Sequence, residues 1–303
     1  MIFCIIWLPT NRKGTETMKK TYTEEQKKEF AANAKAKADA AQELLKKGIQ
    51  DMFSSENYSE FLKFYSSFHQ YSFGNTVLIM MQMPTASRCA SYIDWKKKGR
   101  QVKKGEHGLM VMVPTPKKWK TVNEETGEEE EHSRMYYKVG SVFDISQTEG
   151  NEIPEISHKL TGDVNQFNEV FDAIKSAVDI PVTVEDFDNT ANGYYSTAEN
   201  KIVIKSGLSQ MQTIKTLCHE GAHSILHCKG GEMEKADRNT MELQAESVAF
   251  IVCNYLGIDS SDYSFGYVAG WSKDKSAKQL EKNMTVISKT AMQMISKIEE
   301  GRQ

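Results

Sequence analysis

The stretch Thr216-Leu217-Cys218-His219-Glu220-Gly221-Ala222-His223-Ser224-Ile225-Leu226-His227 constrains this chain more than any other. It contains His-Glu-x-x-His, and that spacing has a physical reason. On a helix, residues i and i+4 share a face, so His219 and His223 can grip one ion. Glu220 stands beside His219 and can reach a water in an open coordination position. On a zinc ion such a water has its pKa lowered to about 7, and a nearby carboxylate can take its proton. This is the metalloprotease form of the motif, with Glu220 as catalytic base. The flanks suit a helix. Leu208, Met211, Ile214, Leu217, Ile225 and Leu226 supply an apolar stripe, and Gly230-Gly231 end it.

Two imidazoles leave a zinc ion short of a third protein ligand. The run from Met241 to Cys253 reads as a second helix, with Glu242 and Glu246 at i and i+4 on one face. The rest of that helix is largely apolar, so two carboxylates on it need a reason. One can ligate the metal while the other hydrogen-bonds a ligand histidine. Glu246 is favoured as the ligand, because Glu246-Ser247-Val248-Ala249-Phe250 resembles the glutamate helix of ImmA/IrrE-type zincins. Glu242 is the alternative, since the first acid of such a pair also ligates in gluzincins. His227 lacks the glycine turn that precedes the last histidine of a metzincin, and it reads as a helix-end residue. Cys218 and Cys228 read as packing residues, because no close cysteine pair of the Cys-x-x-Cys kind is present. The expected cofactor is one Zn2+ per chain.

Length and composition bound the rest. The chain has 303 residues, enough for two ordinary domains. A formal net charge of −3 gives no general attraction to nucleic acid or membranes, so any such partner must be recognised by a local cluster. Five scattered cysteines fit a reducing, cytoplasmic compartment. The apolar run Met1 to Pro9 is too short to span a membrane. Met18-Lys19-Lys20 looks like a more natural start, which would make residues 1–17 a non-native or disordered leader.

In chain order, residues 22–50 read as a helix opened by a capping box, Thr23-Glu24-Glu25-Gln26. Residues 57–83 form a second helical region, broken around Tyr71 to Asn75. Leu109 to Pro114 and Tyr136 to Ile145 read as paired strands, joined by an acidic tip over 123–131 that reads as mobile and solvated. Gly150, Pro154 and Gly162 mark a domain boundary within 147–163. Beyond it come a helix over 164–178, a strand over 181–185 and a hairpin over 193–205 that leads into the His-Glu-x-x-His helix. A strand beside that helix can receive an extended peptide by edge pairing. A loop over 260–270 carries Tyr263, Phe265 and Tyr267, and Tyr267 is a candidate oxyanion donor. A helix from Lys273 to Glu300 closes the chain.

One cluster suggests a nucleic-acid partner. Six basic residues, Lys96, Lys97, Lys98, Arg100, Lys103 and Lys104, follow Tyr92 and Trp95. Cations attract phosphates and aromatic faces stack on unpaired bases.

Both halves together resemble the ArdC-type antirestriction proteins of plasmids and conjugative elements. The N-terminal resemblance lies in Tyr71-Ser72-Phe73-Gly74-Asn75-Thr76-Val77-Leu78-Ile79, in the run from Trp95 to Gly108, and in Val142-Phe143-Asp144-Ile145-Ser146-Gln147-Thr148. The C-terminal resemblance lies in His219-Glu220-x-x-His223, in Glu242-Leu243-Gln244-Ala245-Glu246 and in Tyr267-Val268-Ala269-Gly270-Trp271. The acidic 124–131 stretch lies outside that pattern. The resemblance implies an α+β chain with an N-terminal single-stranded-DNA-binding domain over 18–150 and a zincin-like metallopeptidase domain over 160–303. It implies that His219, His223 and a glutamate hold zinc, and that Tyr92, Trp95 and the lysines face DNA. The implied partners are single-stranded DNA and an unidentified protein substrate, with no membrane.

Overall fold

The computed structural model describes residues 23–122, 129–153, 164–188, 190–258, 263 and 265–301. The expected leader, residues 123–128 of the acidic tip and residues 154–163 of the expected boundary lie outside the described residues. Helix α1 (Glu24–Met52) starts at the capping box. The Thr23 hydroxyl accepts from the Gln26 amide and the Gln26 side chain accepts from the Thr23 amide. Helices α2 (Ser55–Ser67) and α3 (Phe73–Gln82) follow, with Ser54 and Ser72 as N-caps. The break expected between them is the turn that Ser72 closes.

Next come β1 (Cys89–Ala90), the short helix α4 (Tyr92–Lys97), β2 (Arg100–Val102), β3 (Leu109–Val122) and β4 (Glu129–Asp144). Strands β3 and β4 form one long antiparallel ribbon, in register from Leu109↔Val142 to Val122↔Glu129. Only its base was legible as strand. There Leu109, Val111 and Val142 pack with Phe68, Ile79 and Ala86, whereas the outer half is polar and carries no buried face. Backbone pairing and exposed cross-strand contacts, such as the Lys120–Glu129 ion pair, extend it. Asp144 closes the base: its carboxylate accepts from the amides of Ser87, Arg88 and Ser146. These bonds hold it below the usual carboxylate range against the opposing effect of its burial. Strand β5 (Thr148–Gly150) then pairs with β2.

The second half opens with α5 (Val164–Ala177). A three-stranded sheet follows, made of β6 (Val182–Glu185), β7 (Gly193–Ser196) and β8 (Lys201–Lys205) in the order β6-β8-β7. Strand β6 runs parallel to β8, and β7 is an antiparallel edge. Four helices complete the chain: α6 (Gln210–Leu226), α7 (Arg238–Tyr255), α8 (Val268–Ser272) and α9 (Ala277–Gly301).

The main core does not respect the division read from the sequence. It joins Tyr58, Phe61, Leu62 and Tyr65 of α2 to the buried residues of α5, α6, α7 and α9. The Tyr58 hydroxyl shares a hydrogen bond of 2.8 Å with Ser247 Oγ of α7, and its ring stands edge-on to Phe265 at 5.1 Å. The Tyr65 hydroxyl donates to the Ser288 carbonyl of α9. The reason lies in shape: α3 already covers the ribbon base, so the aromatic stripe of α2 is buried on α7 instead. Among the described residues, no helix is long and apolar enough to cross a membrane.

A shared core predicts shared unfolding. Tyr58→Phe removes the buried hydroxyl that bonds Ser247 Oγ and Met284 Sδ, and should cost about 1 kcal/mol. Tyr58→Ala removes a fully buried ring and should cost about 3–5 kcal/mol. In urea titrations followed by fluorescence and circular dichroism, both variants should move one cooperative transition. A C-terminal transition left at its wild-type midpoint would show two separate cores.

Candidate metal centre

Helix α6 starts at Ser209, whose hydroxyl accepts from the Gln212 amide. Ile214, Leu217, Cys218, Ala222 and Leu226 are buried along it. That fixes the helix rotation and leaves His219 and His223 at the edge of the core, one turn apart. Small residues inside the motif allow the packing. A Cβ on Gly221 would lie 2.7 Å from Val178 Cγ1, so a larger residue there would push α6 off the end of α5. Gly193 plays the same part on β7, where a Cβ would meet Thr216 Cγ2 at 2.6 Å. Helix α7 starts at Asp237, which accepts from both the amide and the hydroxyl of Thr240.

Where α6 meets α7, three side chains converge. His219 Nε2 and His223 Nε2 lie 3.1 Å apart. Glu242 Oε2 lies 3.5 Å from the first and 3.6 Å from the second. Around a tetrahedral ion with ligand bonds of about 2.0–2.1 Å, ligand atoms stand about 3.3 Å apart. The three atoms therefore sit where the ligands of one ion would sit, and this group could hold a metal ion. The charge balance fits as well. Three carboxylates, those of Glu220, Glu242 and Glu246, act on His219. Burial alone would lower His219, but these carboxylates, led by Glu242, turn the net shift upward. Hydrogen bonding from both imidazoles holds Glu242 far below the usual carboxylate range. A cation between them would satisfy both sets of groups.

Glu220 projects from the same helix into a cavity of about 400 Å³, lined also by Asn192, Gln212, Lys215, Thr216 and Glu246. Its burial pushes the carboxyl upward, opposed by His219, by His223 and by a hydrogen bond from the Tyr195 amide. That amide belongs to β7, so one bond ties the edge strand to the carboxylate of Glu220.

Glu242, and not the favoured Glu246, is the carboxylate that reaches the imidazoles. The reason is the crossing of the helices, which turns the first acid of the i, i+4 pair toward the two histidines. Glu246 stands one turn further on, in the cavity wall, where it accepts a hydrogen bond from the Tyr267 hydroxyl. Burial raises Glu246, and that hydrogen bond opposes the rise. Tyr267, the candidate oxyanion donor, donates its hydroxyl to Glu246. His227 is the helix-end residue foreseen, but it is more than that. Its Nδ1 lies 2.8 Å from His223 Nδ1, and its Nε2 lies 3.0 Å from Gln244 Oε1. Its i+4 spacing from His223 was the available signal. Cys218 is a buried packing residue, as expected, and Cys89, Cys218, Cys228 and Cys253 are free thiols.

The basic run of the first half divides differently from its expectation. Trp95 is fully buried, and its indole donates to the Phe143 carbonyl at 2.8 Å, so it anchors α4 and offers no face to a base. Arg100 is spent on structure: Nε donates to Thr148 Oγ1 and Nη2 to the Thr148 carbonyl. Lys103 donates to the Ser146 carbonyl and Lys97 pairs with Asp94. Lys98 lies over the Trp95 ring. Tyr92 is exposed, as are Lys96 and Lys104. A different aromatic and basic set stands on the outer ribbon. The register puts Thr115 opposite Tyr136, Lys117 opposite Arg134 and Trp119 opposite His132, all on one face. Trp119 stacks on His132, and Arg134 lies over the Tyr136 ring. Trp119, Tyr136 and Tyr137 are exposed.

Comparison with known proteins follows the same two halves. Residues 38–143 match the family model of the N-terminal domain of the anti-restriction factor ArdC. Residues 176–253 match that of the IrrE N-terminal-like domain, the M78 peptidase family. The chain is similar to ArdC-type proteins in both halves. It carries the ArdC N-terminal domain first and the peptidase-like domain second, in a mixed helix and strand fold. A similar fold is seen in the Mn(II)-bound crystal structure of the antirestriction protein ArdC from plasmid R388. The identity is 21% and the TM-score 0.52, covering 84% of this chain and 98% of that one. Its metal-free structure aligns at 22% identity and a TM-score of 0.49, over 76% and 86% of the two chains. An uncharacterized protein of Bacillus anthracis, pXO2-81, is 27% identical over 93% of this chain, which spans 54% of that protein's length.

The placement of Trp95 gives a direct test. Trp95→Ala should destabilise the fold by about 3–5 kcal/mol, as buried aromatics do. Tyr92→Ala, at an exposed position, should stay within about 0.5 kcal/mol of wild type. Thermal and urea melts of the two variants decide; equal stability for both would contradict the buried position of Trp95.

Proposed function

We propose that this ArdC-type chain is a single-stranded-DNA-binding zinc metallopeptidase of a mobile conjugative element. In this reading it serves antirestriction in the cytoplasm and hydrolyses a peptide bond in a protein substrate. The observation that carries the reading is the convergence of His219 Nε2, His223 Nε2 and Glu242 Oε2 beside a cavity that Glu220 also lines. Three protein donors leave a coordination position open, which is the arrangement of catalytic and not structural zinc. The R388 protein was crystallised with Mn(II). Two imidazoles and one carboxylate suit zinc, whereas oxygen-rich sites suit manganese. Bound zinc would supply Lewis acidity to a carbonyl and to a water.

The chain's own residues supply the remainder. Glu220 accepts a proton from the attacking water and delivers it to the leaving amine. Its partial burial raises its affinity for that proton. An extended peptide pairs with the edge strand β7, whose Tyr195 amide already contacts Glu220. Glu246, held by Tyr267, forms a wall of the cavity.

Metal analysis and cleavage assays separate these roles. Wild-type protein should co-purify with one zinc per chain; under about a tenth of an equivalent would sink the site, because catalytic zinc sites are normally filled. His223→Ala and Glu242→Ala should lose the metal, and Glu246→Ala should lose less. Glu220→Gln should keep the metal and lose cleavage. New protein N-termini released in a cell lysate, with and without single-stranded DNA, are the readout. Identical N-termini from wild type and Glu220→Gln would make this a non-catalytic DNA-coating protein.

For the DNA, the exposed aromatic and cationic face of the ribbon replaces the buried Trp95 as the stacking surface. Trp119→Ala and Tyr136→Ala should each weaken binding to single strands by about 1–3 kcal/mol with the salt slope unchanged. Lys117→Ala with Arg134→Ala should lower the log–log salt slope by about 0.7 for each phosphate no longer neutralised. Fluorescence titrations with a short oligonucleotide at several salt concentrations measure both. Wild-type affinity in all of these variants, each folded, would remove the ribbon from the DNA surface.

A further inference from the structure

Behind His223, on the side away from Glu242, a row of buried polar groups crosses from α6 through α7 to α9. His223 Nδ1 lies 2.8 Å from His227 Nδ1. His227 Nε2 lies 3.0 Å from Gln244 Oε1. Gln244 Nε2 donates to Asn283 Oδ1 at 2.7 Å, and Asn283 Nδ2 donates to the backbone carbonyl of Gln279 at 2.9 Å. Gln244 is fully buried, while His227 is 8% and Asn283 9% exposed.

The far end fixes the direction of every bond, because a backbone carbonyl can only accept. Asn283 must therefore turn its amide nitrogen to Gln279 and its oxygen to Gln244. Gln244 must then turn its nitrogen to Asn283 and its oxygen to His227. His227 must carry its proton on Nε2 and present a lone pair at Nδ1. His223 must carry a proton on Nδ1, so that its neutral form, the one that binds a metal, has its lone pair on Nε2. That nitrogen is the one 3.1 Å from His219 Nε2 and 3.6 Å from Glu242. Taken from the other end, a metal on His223 Nε2 demands the same proton positions in the same order. Two independent constraints, a carbonyl on α9 and a metal ligand on α6, select one arrangement of protons through four side chains.

We infer that His227, Gln244 and Asn283 are positioning residues that hold His223 in its Nδ1–H tautomer and aim its Nε2 lone pair at the metal. The inference rests on the metal reading of the site given above. Ligand histidines are commonly held by a carboxylate or a carbonyl. Here a neutral imidazole and two amides do this, and the row ends on the last long helix. The metal site thereby depends on α9, a helix that supplies no ligand.

The test reads proton position and metal affinity, not turnover. In zinc-loaded wild type, nitrogen-15 NMR of the imidazoles should show His227 protonated on Nε2 with an unprotonated Nδ1. Chelator competition should show Gln244→Met and His227→Phe binding zinc about 10–100-fold more weakly. His227→Gln should recover most of that loss, because its oxygen can accept from His223 while its nitrogen donates to Gln244. Melts of the metal-free forms select the folded variants. A proton on His227 Nδ1 overturns the inference even if no variant folds. So does wild-type zinc affinity in folded Gln244→Met, and in both cases the metal reading survives. Wild type that binds no zinc would overturn both.

Discussion

The crossing of α6 and α7 is the contact on which the site depends. Neither helix holds a metal site alone. Helix α6 brings two imidazoles into line because their spacing matches one turn, but the nitrogen atoms still need an acid from elsewhere. Helix α7 carries that acid, and the rotation of α7 is set by what it buries. Leu243, Val248, Ile251 and Val252 are fully buried, which leaves Glu242 at the margin of the core, facing the histidines. A shift of one turn along α7 would put Glu246 there instead. Which acid faces the two imidazoles is thus a packing outcome, and it could not be taken from the i, i+4 pair itself.

Much of the fold was legible because its signals are local. The capping box at Thr23, the serine caps and the apolar stripes of α5 and α6 are written in neighbouring residues. The base of the ribbon was legible for the same reason. Its outer half was not, since nothing there alternates toward a core. That the two histidines face one point was legible from their spacing, and that Glu220 stands near them from its place beside His219. What the sequence hid is what distant contacts decide. Trp95 beside a run of lysines reads as a stacking residue, yet its indole is committed to Phe143, 48 residues away. Gln244 sits between two acids that attract attention, and its role is visible only once His227 and Asn283 stand on either side of it.

The same distant contacts change what the two halves mean. Family resemblance divides the chain near residue 150, because the matches to the ArdC domain and to the peptidase-like domain fall on either side. Packing divides it elsewhere. Helix α2 belongs to the first half by sequence and to the second by burial. Its Tyr58 is bonded to Ser247, the residue that follows Glu246 on α7. Phe53, just after α1, lies against Trp271 of α8, and Tyr267 at the start of α8 holds Glu246. One wall of the cavity is therefore braced by side chains from the first half of the chain. A peptidase-like segment cut out at the sequence boundary would keep His219, His223 and Glu242 but would expose the face of α7 that Tyr58 covers. In the proposed function, the separation into a DNA-facing part and a metal-holding part is one of surface, since the ribbon stands outside a core that both parts build.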